Sequence, residues 1–404
     1  MNRKTLLIGF LILNILTGLC VGVISMVLPL YSISINASTA EIGMIKGISG
    51  IGALMMVLPS GFLVDYFGSK RLYAFGSFIS ALTIFLMAFS NSAKLIMLSM
   101  AFQGFSNSLR FTSLNAAFFK YLNSIGVSKS GWYRGSMSIG LTFVGPLVGG
   151  YSLRYLSYQN IFHIVAMLTL IPTLALIPLL RKEYIHRKTD TGKEGNNKFN
   201  FNEQLWEMKC LLKDRILKRT ILAEGLSTAC FSSFSTFIVV YAVNSLYIKN
   251  YYSSWFLILE GTAYILMVFL GGGLLCRYTK ERLYLVSFSL MISGLFFIGI
   301  SYKLGIVILL GIILLGVGTG ILNLVTYSNL SNIEGKKGKV SSLLSAATGI
   351  GSTFGPMFGG IIGEVFGYRA IFIVYIPIFI LTTYYICSSR IKENEIEELI
   401  QSEY

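Results

Sequence analysis

The chain has 404 residues, of which 54% are hydrophobic and only 13% are charged. Soluble globular proteins carry roughly 25% charged residues, so this composition excludes an ordinary soluble domain and favours a chain that lies in a lipid bilayer. The net charge is +15, but the basic residues stand between apolar runs, which indicates membrane topology and excludes nucleic acid as a partner.

Apolar windows long enough to cross a bilayer, about 20 residues each, follow one another along the chain. They predict twelve transmembrane helices, divided six and six by the polar segment 181–219. The predicted helices lie at 5–32, 41–64, 72–92, 95–120, 135–153, 158–180, 220–247, 253–276, 283–302, 304–330, 340–363 and 369–389.

These windows give four regions. An N-terminal six-helix bundle covers 1–180, and a C-terminal six-helix bundle covers 220–389. The linker 181–219 contains apolar residues from about Asn202 onward, which predict a helix on the membrane surface. Residues 390–404 form a tail. Within the first bundle, Ser38 and Glu41 have the spacing of a capping box at the start of the second helix.

The distribution of Lys and Arg predicts the orientation of the chain. With the N-terminus in the cytoplasm, 26 basic residues lie inside and six lie outside, Lys46 among the six. Removing the 11 basic residues of the central segment still leaves 15 against six. We therefore expect both termini in the cytoplasm. The amino-acid composition of the chain favours the plasma membrane of a bacterium, that is, its inner membrane, as the location.

Two sequence repeats predict the architecture. FVGPLVGG at 143–150 recurs as TFGPMFGG at 353–360, and KRLY at 70–73 recurs approximately as ERLY at 281–284. The offsets of 210 and 211 residues fit two parallel halves of six helices each. Such repeats are typical of one class of secondary transporters. The predicted fold is an all-α membrane protein of two pseudo-symmetric six-helix bundles.

The stretch GFLVDYFGSKR at 61–71 resembles the signature between the second and third helices of the major facilitator superfamily, G-x-x-x-D-(R/K)-x-G-(R/K)-(R/K). The matching residues are Gly61, Asp65, Gly68, Lys70 and Arg71. Tyr66 and Ser69 stand where the signature usually has basic residues. The resemblance extends over nearly the whole chain and implies the twelve-helix fold of that family.

Asp65 is the unexpected residue of this signature, because an acid contributes nothing to the orientation. Gly61 permits close helix contact, and Gly68 permits a left-handed turn. A carboxylate can accept hydrogen bonds from the N-terminus of a neighbouring helix. The resemblance implies that this neighbour is the eleventh helix, near 338–342, and that Asp65, with Arg134, latches the outward-open state. The alternative is a turn and topology signal only.

Two further stretches resemble family signatures. GPLVGG in the fifth helix resembles the one associated with antiporters, and Pro146 is expected to bend that helix, as Pro356 does by symmetry. The residues involved are Gly145, Pro146, Gly149, Gly150, Gly355, Pro356, Gly359 and Gly360. This favours export, although such Gly-Pro pairs also serve packing alone. In the fourth helix, Met100 replaces the arginine that the family's proton antiporters place before Gln103 and Gly104.

Arg110 lies within the fourth predicted helix, where a charge is costly. Gln103, Asn107 and Ser113 share its face, so the stripe must face a cavity or another helix. The resemblance implies a central cavity lined by the first, fourth, seventh and tenth helices. The prediction is that Arg110 binds an anionic group of the substrate, and the alternative is a structural pairing.

Two acids lie within predicted helices of the second half. Glu224 is a candidate proton or cation site, or the partner of Arg110 across the cavity. Glu260 could bind and release a proton during transport, or hydrogen-bond to a neighbouring helix. Weaker cavity candidates are Asn14, Thr17, Asn323 and Thr326. Lys46 and Glu364 lie near the predicted outer boundary, where their side chains can reach the head groups.

These observations predict a proton-driven secondary transporter that exports a small organic molecule. It would be a monomer without cofactor or metal, and its partners would be its substrate and the bilayer. The sequence has no GxxxxGK(S/T) motif and no CxxC pair, which argues against direct use of ATP and against a metal site. An importer of an anionic nutrient remains an alternative. A receptor or scaffold is disfavoured by the polar stripes, and an enzyme by the lack of a nucleophile and base.

Overall fold

The computed structural model describes residues 3–125, 130–179, 214–301, 305–331 and 337–386. The regular elements of these ranges are helices, and an interrupted helix keeps one label. They are α1 (Arg3–Ser34), α2 (Thr39–Phe67), α3 (Ser69–Met87), α4 (Ala93–Ile125), α5 (Ser130–Ser138, Ile139–Val144 and Gly145–Ser152), α6 (Tyr158–Leu179), α7 (Arg215–Asn244), α8 (Ser254–Leu270, Gly271–Gly273 and Leu274–Arg277), α9 (Lys280–Ile300), α10 (Ile306–Ser331), α11 (Lys337–Phe366) and α12 (Tyr368–Ile386).

Eight described helices are long and apolar enough to cross a membrane, namely α1, α3, α6, α7, α8, α9, α10 and α12. The other four, α2, α4, α5 and α11, correspond to predicted crossings but are not among the eight. For α4 and α11 the sequence explains the difference, because the stretches FQGFSNSL and SAATGIGS are rich in Ser, Gly and Asn. The count of twelve crossings therefore stays a prediction.

Helix starts follow local capping chemistry. Ser38 and Glu41 form the capping box that their spacing predicts, with Ser38 N donating to Glu41 Oε2 at 2.9 Å and Glu41 N donating to Ser38 Oγ at 3.3 Å. The seventh helix begins at Arg215, five residues before the predicted start at 220, because Asp214 Oδ1 accepts the N–H groups of Ile216 and Leu217. Up to residue 213, the predicted surface helix of the linker lies outside the residues that the structure describes.

The two Gly-Pro sequences shape their helices differently. In α5, a π-helical turn (Ile139–Val144) directly precedes Pro146, and the N–H of Gly145 bonds to the carbonyl of Gly140. In α11, by contrast, the helix continues through Pro356. Because proline has no N–H, the carbonyl of Ser352 loses its usual donor, and it accepts the Ser232 hydroxyl of α7 at 3.3 Å instead. The carbonyl that Pro356 leaves without a donor is thus satisfied by a hydrogen bond from a neighbouring helix.

The two halves are in contact at one end of the molecule, and α5 also meets α8 further along, where a Cβ on Gly135 would lie 2.7 Å from the Phe269 ring. We call the end with the predicted extracellular connections the outer end, and the opposite end the inner end. At the outer end, the Ala40 N–H donates to Glu364 Oε2 at 3.1 Å, and Asn250 donates to the Tyr158 hydroxyl at 2.8 Å. A buried apolar cluster there joins Met26 of α1 to helices of the second half.

Close backbone approach also joins α2 and α11 near the outer end. A Cβ on Gly43 would overlap the Pro356 carbonyl oxygen and lie 2.9 Å from Cα of Gly360. Further along the same pair, a Cβ on Gly50 would lie 3.0 Å from Cα of Thr353. Only glycine allows two helices to pack this tightly, so these positions hold the outer end closed.

Candidate functional site

A cavity of about 640 Å³ lies between the two halves. Helices α1, α2, α4, α5, α7, α8 and α11 line it. Asn115 of α4 and Ser345 of α11, both nearer the inner ends of their helices, line the cavity and are exposed, whereas Ser32 of α1 and Ile42 of α2, near the outer end, are buried. The cavity is therefore open toward the inner end and closed at the outer end. Its volume is within the range of sites for small organic ligands.

The cavity wall is mixed in chemistry. Its amide side chains are Gln103, Asn107 and Asn115, and its hydroxyl side chains are Ser25, Ser32, Ser49, Ser108, Thr112, Thr142, Thr228, Ser232, Ser235, Thr236, Ser345, Thr348 and Ser352. The rings of Phe111 and Phe231, one from each half, are also part of the wall. Such a wall can stack against a ring and hydrogen-bond its polar substituents.

Two charged side chains line the cavity in the described part of the chain, Lys46 of α2 and Glu260 of α8. Lys46 Nζ donates to Ser25 Oγ at 3.0 Å. Glu260 is 1% exposed and lies beside Thr319, whose hydroxyl donates to the Gly316 carbonyl at 3.0 Å, and Oε1 has no hydrogen-bond partner among the described residues. A buried carboxylate with an unused oxygen is suited to take up a proton or a donor group of a solute.

Lys46 is the charged cavity residue that sequence reasoning missed. The expectation that it sits at the outer boundary is wrong, because the side chain lines the cavity. The Ser38 cap places Lys46 seven residues, roughly 10 Å, inside the helix, but it does not place the start of that helix relative to the other helices.

Arg110 occupies a different place from the one predicted. It is fully buried between α3 and α4 and is not among the residues that line the cavity. Nη1 donates to Ser80 Oγ at 3.2 Å and to Asn107 Oδ1 at 3.3 Å, and the guanidinium lies over the Tyr73 ring at 5.8 Å. Asn107 lines the cavity, so one hydrogen bond connects Arg110 to the cavity wall. Gln103, which the sequence places on the same face of α4, lines the cavity as well.

Gln103, on the cavity wall, is linked to Arg110 through Ser80, which bonds to both side chains. Its Oε1 accepts from Thr83 at 2.7 Å, and its Nε2 donates to Ser80 at 2.9 Å. We expect Gln103→Met to lower the unfolding free energy by about 1–3 kcal/mol, because it removes two buried side-chain hydrogen bonds. Thermal unfolding of the purified protein in detergent measures this. The matched control is Gln159→Met, at an exposed position of α6. Equal stability of the two variants would contradict the role of Gln103.

The other predicted pathway residues lie in contacts between helices. Glu224 accepts the Thr326 hydroxyl at 2.9 Å and also hydrogen-bonds to Asn323. Asn14 donates to the Tyr133 carbonyl and to Ser136 Oγ, which connects α1 to α5. Thr17 bonds to the Tyr73 hydroxyl at 2.8 Å. None of these five residues is among those that line the cavity in the described structure.

The signature at 61–71 is described only in part. Gly68 has φ +84° and joins α2 to α3 through a single residue, a conformation that favours glycine. Within the part of the chain that the structure describes, Gly61 makes no close helix contact in this conformation, since a Cβ there would meet nothing within 4 Å. Lys70 is half-buried and Arg71 is exposed. The side chains of Asp65 and Arg134, and with them the predicted latch, lie outside what the structure describes.

The glycines of both Gly-Pro sequences serve helix packing. Gly145 approaches Gly22 of α1, and Gly150 approaches Ser254 of α8. In α11, Gly355 approaches Ala229 of α7, and Gly360 approaches Gly43 of α2. A Cβ on Gly149 or Gly359 would meet neighbours at 3.2–3.5 Å. Both halves therefore use these glycines for close helix packing, which is the alternative role that the sequence left open.

Two helical halves around a polar cavity that is closed at one end define a transport protein of the membrane. The chain belongs to the Major Facilitator Superfamily, whose family model matches residues 10–323 and 244–398. It is thus a multi-pass membrane protein that transports a small solute. Among the described residues, no group of His, Cys, Asp and Glu side chains could hold a metal ion.

Comparison with individual proteins adds detail. A riboflavin transporter, RibZ of Clostridioides difficile (strain 630), is 36% identical over 129 residues, which span 30% of this chain and 28% of that protein. The nucleoside transporter NupG has a similar structure, with a TM-score of 0.77 at 16% identity over 96% of this chain and 99% of NupG. A bacterial homolog of the human lysosomal transporter Spinster, in an inward-facing and unoccupied conformation, gives 0.73 at 13% identity over 96% and 97%.

Proposed function

We propose that the protein takes up a small polar nutrient that contains a ring system. The observation that carries the proposal is the cavity wall, in which two phenyl rings stand among amide and hydroxyl side chains. Riboflavin and nucleosides combine a heterocycle with several hydroxyl groups, and proteins named for their transport resemble this chain. A wall of this kind fits that class better than it fits a purely apolar solute.

Uptake would proceed by alternating access. In the described state the cavity is open toward the inner end, where the solute would be released. To load from outside, the two halves must separate at the outer end, which breaks the contacts of Gly43 with Gly360 and of Ala40 with Glu364. Rocking of the two bundles about a site between them is the movement that the repeat architecture supports.

A proton gradient is the proposed driving force, with Glu260 as the proton-binding group. The carboxylate faces the cavity, so it can exchange a proton with whichever side the cavity faces. Oε1 has no hydrogen-bond partner that would hold the group in its ionised form. Glu224 is less suited, because it already accepts from Thr326 and hydrogen-bonds to Asn323.

Export coupled to proton entry is the second candidate. It rests on the resemblance of GPLVGG to the antiporter signature, which the packing role of these glycines weakens. A receptor without transport activity is a third reading, which the solute-sized cavity disfavours.

Vesicle transport tests the proposal and its direction. Right-side-out and inverted membrane vesicles would be given radiolabelled riboflavin, uridine and inosine, with and without a pH gradient. We expect accumulation in right-side-out vesicles when the outside is acidic, and its collapse when a protonophore is added. A pH difference of one unit can sustain about tenfold accumulation for one proton per solute. Accumulation only in inverted vesicles with an acidic interior would contradict import and support export.

A further inference from the structure

We propose that Lys46 and Ser25 form a subsite that binds an anionic or carbonyl-bearing edge of the transported solute. This inference rests on the proposed function in one respect only, namely that the solute binds in the cavity between the halves. The inference goes further by stating the selectivity of the cavity, which should accept solutes that present hydrogen-bond acceptors and reject cations.

The first step is the state of the lysine. Lys46 Nζ donates to the neutral hydroxyl of Ser25 at 3.0 Å, and the side chain lines the cavity. An ammonium group has three N–H donors, so this one bond leaves donors directed at the cavity. A cation in a partly dry wall is stabilised most by an acceptor that carries negative charge.

The second step is the position of the opposite charge. Glu260 lies six residues after the start of α8 and Lys46 seven residues after the start of α2, so both are roughly 10 Å from the outer ends of their helices. They belong to different halves and have different neighbours, because Lys46 donates to Ser25 and Glu260 lies beside Thr319. The charges therefore face one cavity from its two walls instead of neutralising each other in a direct pair.

The third step is the solute that such walls accept. A ring lying between Phe111 and Phe231 could direct its carbonyl or carboxylate edge at Lys46 and an N–H or O–H group at Glu260. Heterocycles with an imide or carboxylate edge have this arrangement of acceptors and donors. When Glu260 carries a proton, Lys46 is left without a counter-charge, and the attraction for an anionic edge increases.

Thiol labelling tests the subsite without knowledge of the solute. Ser352→Cys places a thiol on the cavity wall, in a chain whose native cysteines have been replaced. Its reaction rates with sulfonatoethyl methanethiosulfonate, an anion, and with the trimethylammonioethyl reagent, a cation, are compared in purified protein. We expect Lys46→Met to lower the anion-to-cation rate ratio about fivefold or more, and Glu260→Gln to raise it. The control is Lys249→Met, at an exposed position beyond the end of α7.

An unchanged ratio in Lys46→Met would overturn the subsite, whatever the vesicles show. A second arm measures binding of uridine, orotate and the thiamine cation to the wild type and to Lys46→Met and Lys46→Arg. Loss of binding by acceptor-bearing solutes in Lys46→Met, with partial recovery in Lys46→Arg, supports the subsite. If the labelling ratio shifts but the vesicles take up none of riboflavin, uridine and inosine, the subsite stands and the proposed nutrient class fails.

Discussion

Gly43→Leu is expected to reduce transport more than about tenfold by preventing closure of the outer end. A Cβ at this position would overlap the Pro356 carbonyl and lie 2.9 Å from Cα of Gly360. Overpacking of this kind costs about 1–3 kcal/mol. The cost applies only to the state in which α2 and α11 touch at that end. The equilibrium between the two states should therefore shift about 5- to 150-fold toward the outward-open one.

The measurement combines transport with labelling from outside. Ser32→Cys lies on the cavity wall and is fully buried in the described state. An impermeant thiol reagent applied to intact cells should label it slowly in the parent protein and much faster when Gly43→Leu is added. The matched control is Gly272→Leu, where a Cβ would meet nothing within 4 Å. Slow labelling together with normal transport in Gly43→Leu would show that this contact does not close the outer end.

Glu260→Gln is expected to abolish gradient-driven accumulation while exchange of solute across the membrane continues. Glutamine keeps the size of the side chain, but it cannot bind and release a proton. The solute should then equilibrate instead of accumulating, so the roughly tenfold accumulation expected per pH unit falls to about one. Entrance counterflow measures the exchange, and uptake under an imposed pH gradient measures the coupling.

Two further variants make this result interpretable. Glu281→Gln, in the first turn of α9, is the control for the loss of one acid elsewhere. Glu224→Gln is the competing variant, because Glu224 is the other acid within a predicted crossing of the second half. If Glu224→Gln loses accumulation and Glu260→Gln retains it, the assignment of the proton to Glu260 is wrong.

The sequence predicted the helices well because their signals are local. The Ser38 cap and the apolar windows depend on residues near one another in the chain. Glu260 was also selected from the sequence, as an acid in the middle of LILEGTAYI, and it lines the cavity, while its role in proton binding stays a prediction. The start of α7 was missed by five residues because Asp214 was counted with the linker.

The candidate site was harder to predict because helical spacing does not show which neighbour a face meets. Gln103, Asn107 and Arg110 were correctly grouped on one broad face of α4. That face is shared between the cavity, where Asn107 points, and α3, where Arg110 packs over Tyr73. Lys46 was assigned to the head groups because nothing in the sequence placed the start of α2 relative to the other helices.

The low apolarity of α4, α5 and α11 has a consequence for biosynthesis. These three helices contribute Gln103, Asn107 and other polar side chains to the cavity wall, and they are not among the eight described helices that satisfy the length and hydropathy required for a membrane span. The translocon passes a segment into lipid according to its own apolar character. Each of the three is therefore expected to need an already inserted neighbour, such as α3 beside α4, before it can leave the aqueous channel. A chain interrupted during synthesis just after one of them should leave that segment unprotected from protease.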